Sequence, residues 1–133
     1  MNSKVKNIII AALRKINRNY WEPRKTAKNR CKVDKALYKC EECGVLVYEG
    51  KSAVSYFALQ EKYHPQEVRM ERFDMDHRVP VVALEGWEDW NTFIDRLFCA
   101  EENWQGLCSS VCHSKKTKAE QKIRLKNKYG SKK

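Results

Sequence analysis

Asn103-Trp104-Gln105-Gly106-Leu107-Cys108-Ser109-Ser110-Val111-Cys112-His113-Ser114-Lys115-Lys116-Thr117 sets two cysteines at CxxxC spacing, a histidine directly after the second, and a basic run that opens a polar helix. Two earlier pieces of the chain complete it. Cys40-Glu41-Glu42-Cys43 supplies a second cysteine pair, and Asp76-His77-Arg78-Val79-Pro80 supplies a carboxylate and an imidazole. Zn²⁺ takes four sulfur or nitrogen ligands in a tetrahedron, and each short-spaced pair can clamp one edge of it. Cys40, Cys43, Cys108 and Cys112 therefore read as a closed structural zinc site, saturated by sulfur with no position left for substrate. The pairs lie far apart in the chain, so metal binding closes a long loop and clips two parts of a small core together. A redox dithiol is the less favoured use of the same residues. Cys31 and Cys99 have no close-spaced partner and read as ordinary buried or free thiols.

The 133 residues suffice for one domain with a modest core. Net charge is +10 and unevenly spread. Residues 1–39 carry twelve Lys/Arg against two acids, and residues 113–133 carry nine against one. The middle, 40–112, is acidic, with six Lys/Arg against fourteen Asp/Glu. Basic ends around an acidic centre fit arms that grip a polyanion, and two solvated charged helices are the plainer alternative. The apolar run Ile8-Ile9-Ile10-Ala11-Ala12-Leu13 is too short for a signal peptide and is closed by Arg14-Lys15. No stretch is long enough to span a bilayer. These features lead us to expect a cytoplasmic protein in which cysteines serve metal before disulfides.

Val5, Ile8, Ile9, Ala12, Leu13 and Ile16 repeat with helical period and predict an amphipathic helix that docks on the core. After Pro23, residues 24–35 read as a second, very basic helix. Residues 38–44 form a two-cysteine knuckle closed by Gly44 and followed by a strand over 45–48. A short helix is expected over 52–63, starting at Ser52, and a strand over 68–75 leading into Asp76-His77. Trp87, Trp90, Phe93, Ile94, Leu97 and Phe98 mark a helix over 87–98 whose aromatics build core rather than stack on bases. Residues 103–108 read as a turn and strand, and 110 onward as a lysine-rich helix with a frayed end.

In combination these residues resemble the HNH endonuclease motif in its zinc-bound form: Asp76-His77-Arg78-Val79-Pro80, then Asn103, then Leu107-Cys108-x-x-x-Cys112-His113-x-x-Lys116-Thr117. The aromatic segment over 86–99 is similar to small phage-encoded members. The resemblance covers roughly residues 36–120 and implies an α+β fold, a small ββα-metal core with a four-cysteine structural zinc site and flanking basic helices. The implied organisation is a basic helical arm over 1–35, a nuclease domain over 36–120 and a basic tail over 121–133. Two departures stand out: the long stretch between Cys43 and Asp76, and CxxxC in place of the commoner CxxC.

The activity so implied is metal-dependent hydrolysis of DNA phosphodiester bonds, leaving 5′-phosphate and 3′-hydroxyl ends. Such chemistry needs an activated water, charge neutralisation on the transition state and help for the leaving oxygen. His77 is suited to take a proton from water. Asp76 and His113 are the expected ligands of Mg²⁺ or Mn²⁺, acting as Lewis acid. Asn103 is expected to brace His77 through a backbone hydrogen bond across the hairpin. Arg78, Lys116, Arg24, Lys25, Lys28 and Arg30 are the candidate DNA contacts, whereas His64 reads as a loop histidine. The expected protein is a monomer that nicks one strand, in the host cytoplasm if phage-encoded and with phage packaging proteins as candidate partners. The competing functions are a non-catalytic zinc-ribbon nucleic-acid-binding module and a packaging accessory protein.

Overall fold

The computed structural model describes residues 1–130, and it is an α+β fold in which two small sheets are held between helices. Helix α1, Ser3–Tyr20, starts at Asn2, whose side chain accepts from the Lys4 N–H at 2.7 Å. Trp21 separates it from α2, Glu22–Cys31, which has Pro23 in its first turn. The expected second helix stops short of residue 35 because Lys32–Asp34 (β1) leaves it to pair antiparallel with Leu37–Lys39 (β2). The reversal between them puts Ala36 at φ 55°.

After the knuckle, Leu46–Tyr48 (β3) pairs antiparallel with β2, and Val68–Met70 (β4) pairs parallel with β3. A parallel neighbour needs a crossover, and Ala53–Tyr63 (α3) supplies it. Its N-cap is Ser52, as the sequence indicates. Tyr56, Leu59 and Tyr63 of α3 cover Leu37, Leu46, Tyr48 and Val68. The sequence suggests one strand over 68–75. The structure has two, because the chain breaks at Glu71-Arg72 and changes sheets.

The second sheet is Phe73–His77 (β5) against Trp104–Cys108 (β6), antiparallel, with Phe73 opposite Cys108 and His77 opposite Trp104. Residues 78–103 form an excursion between them. It carries Trp90–Leu97 (α4), capped by Asp89, and a 3₁₀ turn at Glu101–Asn103. Its two ends meet where the Arg78 N–H donates to the Asn103 carbonyl at 2.7 Å. From β6 a π-turn, Ser109–His113, leads into α5, Ser114–Gly130. The helix runs without a break past residue 120, where Arg124 donates to the carbonyls of Val82 and Ala83. The sequence-based expectation of a frayed end extends to residues 131–133, which lie outside the described residues.

Helix α1 docks on α4, though not by the stripe its periodicity suggests. Ile10 and Leu13 pack against Phe93, Leu97 and Val81, while Val5, Ile8 and Ile16 are exposed. The seam is completed by a polar residue: buried Asn17 donates to the Leu97 carbonyl at 2.9 Å. Trp21 fixes the helix end by donating from its indole N–H to Cys99 O at 2.8 Å. A hydrophobic pattern has no way to register a contact made by an amide. No helix among the described residues is long and apolar enough to cross a membrane.

Candidate metal centre and the adjoining Asp-His cluster

Cys40 and Cys43 stand on the knuckle between β2 and β3. The Gly44 N–H returns to Cys40 O at 3.0 Å and Gly44 takes φ +80°, a region that disfavours side chains. Cys108 ends β6, and Cys112 lies one π-turn later, its N–H directed at Cys108 Sγ. Glu41 ties the halves together. Its N–H donates to Gly106 O, and its carboxylate accepts from the Gly106 N–H and from Arg30.

The four sulfurs all lie within 4.8 Å of one another, and Cys43 Sγ is 3.9 Å from Cys108 Sγ. Sulfurs about 2.3 Å from a tetrahedral ion would stand about 3.8 Å apart, so the spacing fits. Among the described residues this is the one group of three or more His, Cys, Asp or Glu so arranged. The electrostatics fit as well. Burial acts to raise Cys40, but backbone N–H groups of Cys43, Cys108 and Glu42 prevail and bring it down to about 7. Burial and the neighbouring sulfurs push Cys108 and Cys112 up. Four thiols this close become four thiolates only when a cation shares their charge. The cluster can hold a structural metal ion such as zinc. Cys31 and Cys99 are both buried and outside it.

Beside it, strand β5 alternates its side chains. Asp74 and Asp76 fall on one face, Phe73, Met75 and His77 on the other. On the aspartate face, His113 enters from the turn after Cys112. Its Nδ1 is 2.6 Å from Asp74 Oδ2 and its Nε2 is 3.9 Å from Asp76 Oδ1. The Lys116 ammonium, one turn along, is 2.7 Å from Asp76 Oδ2. Burial works to raise Asp74, but hydrogen bonds from Arg72 and His113 hold its carboxyl below its ordinary value. Adjacent ligands of an octahedral ion stand about 3 Å apart and opposite ones about 4.2 Å. The Asp76–His113 spacing of 3.9 Å falls between these and matches neither as it stands.

The structure thus brings Asp76, His113 and Lys116 together and leaves His77 on the opposite face. The His77 ring lies 4.0 Å, centroid to centroid, from Trp104, and its Nε2 is 3.0 Å from Leu97 O. A carbonyl accepts only, so Nε2 carries the proton and Nδ1 the lone pair. Burial lowers its pKa. Asn103 contributes the cross-hairpin bond, but through its main-chain carbonyl and to Arg78 rather than His77.

The cations proposed for DNA are mostly engaged within the protein. Arg30 pairs with Glu41 and Glu101, Lys28 with Glu49, Lys25 with Glu22, and Arg78 with Glu41. Arg24 donates to Arg18 O and lies over the Trp104 ring. Lys115, Lys118, Lys122 and Lys126, by contrast, are exposed along one side of α5. His64 is exposed at the end of α3. Asp74 is the residue that the motif reading passes over. Its spacing of two from Asp76 within a strand is the signal that assigns both to one face. Compared with known proteins, the chain matches no family model, no curated sequence and no solved structure.

Proposed function

We propose that the chain is a metal-dependent DNA endonuclease of the HNH type that nicks one strand, with zinc in the four-cysteine site. The observation that carries this reading is the meeting of Asp76 from β5 with His113 from the turn into α5. Strand β5, strand β6 and helix α5 follow one another in the order of a ββα-metal unit, and the thiol cluster sits at the junction of β6 and α5. Asp76 Oδ1 and His113 Nε2 would hold Mg²⁺ or Mn²⁺. That ion, when bound, supplies a Lewis acid for a phosphate oxygen and for the leaving 3′-oxygen.

The other duties fall to the chain itself. Asp74 accepts from His113 Nδ1 and so turns Nε2 toward Asp76. Cys112, fixed by the metal cluster, sets the position of its neighbour His113. His77 is the candidate general base: its lowered pKa keeps the ring neutral near pH 7. To take a proton from water at the Asp76–His113 pair, the ring must leave Trp104 and Leu97 O, where it now packs on the other face of β5. The exposed lysines of α5 supply a track for the DNA backbone that leads to the site.

A supercoiled-plasmid assay tests the reading. The wild type should convert plasmid to the relaxed form with Mg²⁺ or Mn²⁺. His77→Gln, whose amide can still donate to Leu97 O, should lose at least about a hundredfold in rate while keeping fold and DNA retention. A wild type that never nicks with any divalent ion ends the enzyme reading. The second reading is a zinc-containing DNA-binding module without catalysis. What favours it is the packing of His77 on Trp104, across the ribbon from His113.

A further inference from the structure

The carboxylate assigned above to a divalent cation already carries a positive charge. Lys116 Nζ stands 2.7 Å from Asp76 Oδ2, donates to the main-chain carbonyl of His77, and lies 3.9 Å from Glu120 Oε1. Three oxygens thus surround one ammonium, on a side chain only 23 % exposed. The other oxygen of the same carboxylate faces His113 Nε2. With Nδ1–H donated to Asp74, Nε2 is the ring nitrogen that faces that oxygen, across a gap of 3.9 Å. This is a site shaped for a cation, with the tethered ammonium of Lys116 at its rim.

We propose that Lys116 is the resident counter-ion of the Asp76–His113 site and that a divalent cation displaces it. The inference rests on the reading that Asp76 and His113 hold such a cation. Charges of like sign a few ångströms apart repel strongly in a partly buried site, so Lys116 and a divalent ion compete for Asp76. The released ammonium is carried on the first turns of α5, beside the lysine track, where it can meet the phosphate that arrives with the DNA. Lys116 therefore has two successive partners: a carboxylate in the metal-free site and a phosphate in the loaded one. The consequence is a site that binds divalent cations weakly until substrate draws the lysine away.

The test uses the full chain, loaded with zinc, at fixed pH, with Mn²⁺ as the probe and free Mn²⁺ followed by its electron paramagnetic resonance. Lys116→Met, which keeps the length of the side chain without its charge, should tighten Mn²⁺ binding roughly tenfold or more, the size of effect that one neighbouring charge exerts on another. Asp76→Asn should abolish it. In the wild type, Mn²⁺ should also speed acetylation of the Lys116 amine, read by peptide mass spectrometry. If Lys116→Met binds Mn²⁺ no more tightly while Asp76→Asn loses it, the counter-ion proposal is overturned and the cation site stands. A Lys116 acetylation rate indifferent to Mn²⁺ overturns it too, independently of how the variant folds. If neither the wild type nor Lys116→Met binds Mn²⁺, both this proposal and the cation site fail.

Discussion

A methyl group added at Gly106 would stand 2.4 Å from the Phe73 ring and 2.9 Å from the Cys31 sulfur, closer than carbon atoms approach in proteins. Phe73 has little freedom to retreat, being 3 % exposed and stacked on Tyr38 with centroids 5.0 Å apart. Replacing glycine by alanine gains less than about 1 kcal/mol through the unfolded chain. Overpacking a filled core costs about 1 to 3 kcal/mol, so the clash prevails. Gly106→Ala is expected to lower the melting temperature by several degrees, and an unchanged melting curve would show that the ring gives way. Asp74 has a different lesson. It is 9 % exposed and bonded to Arg72 and His113, yet the motif that identifies Asp76 and His77 says nothing about it. Strand alternation, a rule of geometry rather than of family, is what links it to the site.

Between β4 and β5 the chain passes Glu71, which organises the turn that presents Cys112 and His113. Its carboxylate accepts from Ser109 Oγ at 2.7 Å, from Ser110 N–H at 2.7 Å and from Ser110 Oγ at 2.9 Å. Burial opposes ionisation, but these hydrogen bonds hold the carboxyl below its ordinary value. A depressed folded value means the unfolded chain takes up the proton first as the solution is acidified. The contribution is therefore full above about pH 4.5 and fades as pH falls through the folded value. Glu71→Gln is expected to destabilise the protein by about 1 kcal/mol at neutral pH, allowing for solvent exposure. The gap between wild type and variant in urea melts should narrow below pH 4.5, and a gap independent of pH would exclude this role. Elements as such are largely legible in the chain: α3 with its Ser52 cap, β6 and the knuckle lie where composition and period suggest. Helix α4 is found but begins at Trp90 rather than 87, because Asp89 caps it and leaves Trp87 outside. What escapes is set by tertiary contacts. Residues 32–35 have the charge pattern of a helix, but pairing with Leu37–Lys39 outweighs a preference of a few tenths of a kcal/mol per residue. The docked side of α1 escapes for the related reason that Asn17 completes it.

At the scale of the molecule, the four thiols connect the first sheet to the second. Cys40 and Cys43 belong to the turn between β2 and β3, and Cys108 and Cys112 to the end of β6 and the turn beyond. Their neighbours Cys31, Val47, Phe73 and Leu107 form a core cluster with three of them. Replacing Cys40 and Cys43 by serine, or stripping metal with a chelator, is expected to unfold the protein or lower its melting temperature by roughly 10 °C or more. Equal stability with and without chelator would deny the cluster a structural metal. This site is legible because two short spacings are unusual in combination; the paired state of Lys28, Arg30 and Arg78 is not, because their acidic partners lie on other elements. The excursion over 78–103 has a further implication. Since it departs and returns at neighbouring points, held by Arg78 and Asn103, the β5–β6 register does not depend on its length. A tight reverse turn in its place would recover roughly 1.5 kcal/mol of closure entropy, but would remove the platform on which α1 rests. The protein is in this sense modular: a minimal unit that keeps the four thiols and the Asp76–His113 pair would be reached by trimming the excursion and the first helix together, never either one alone.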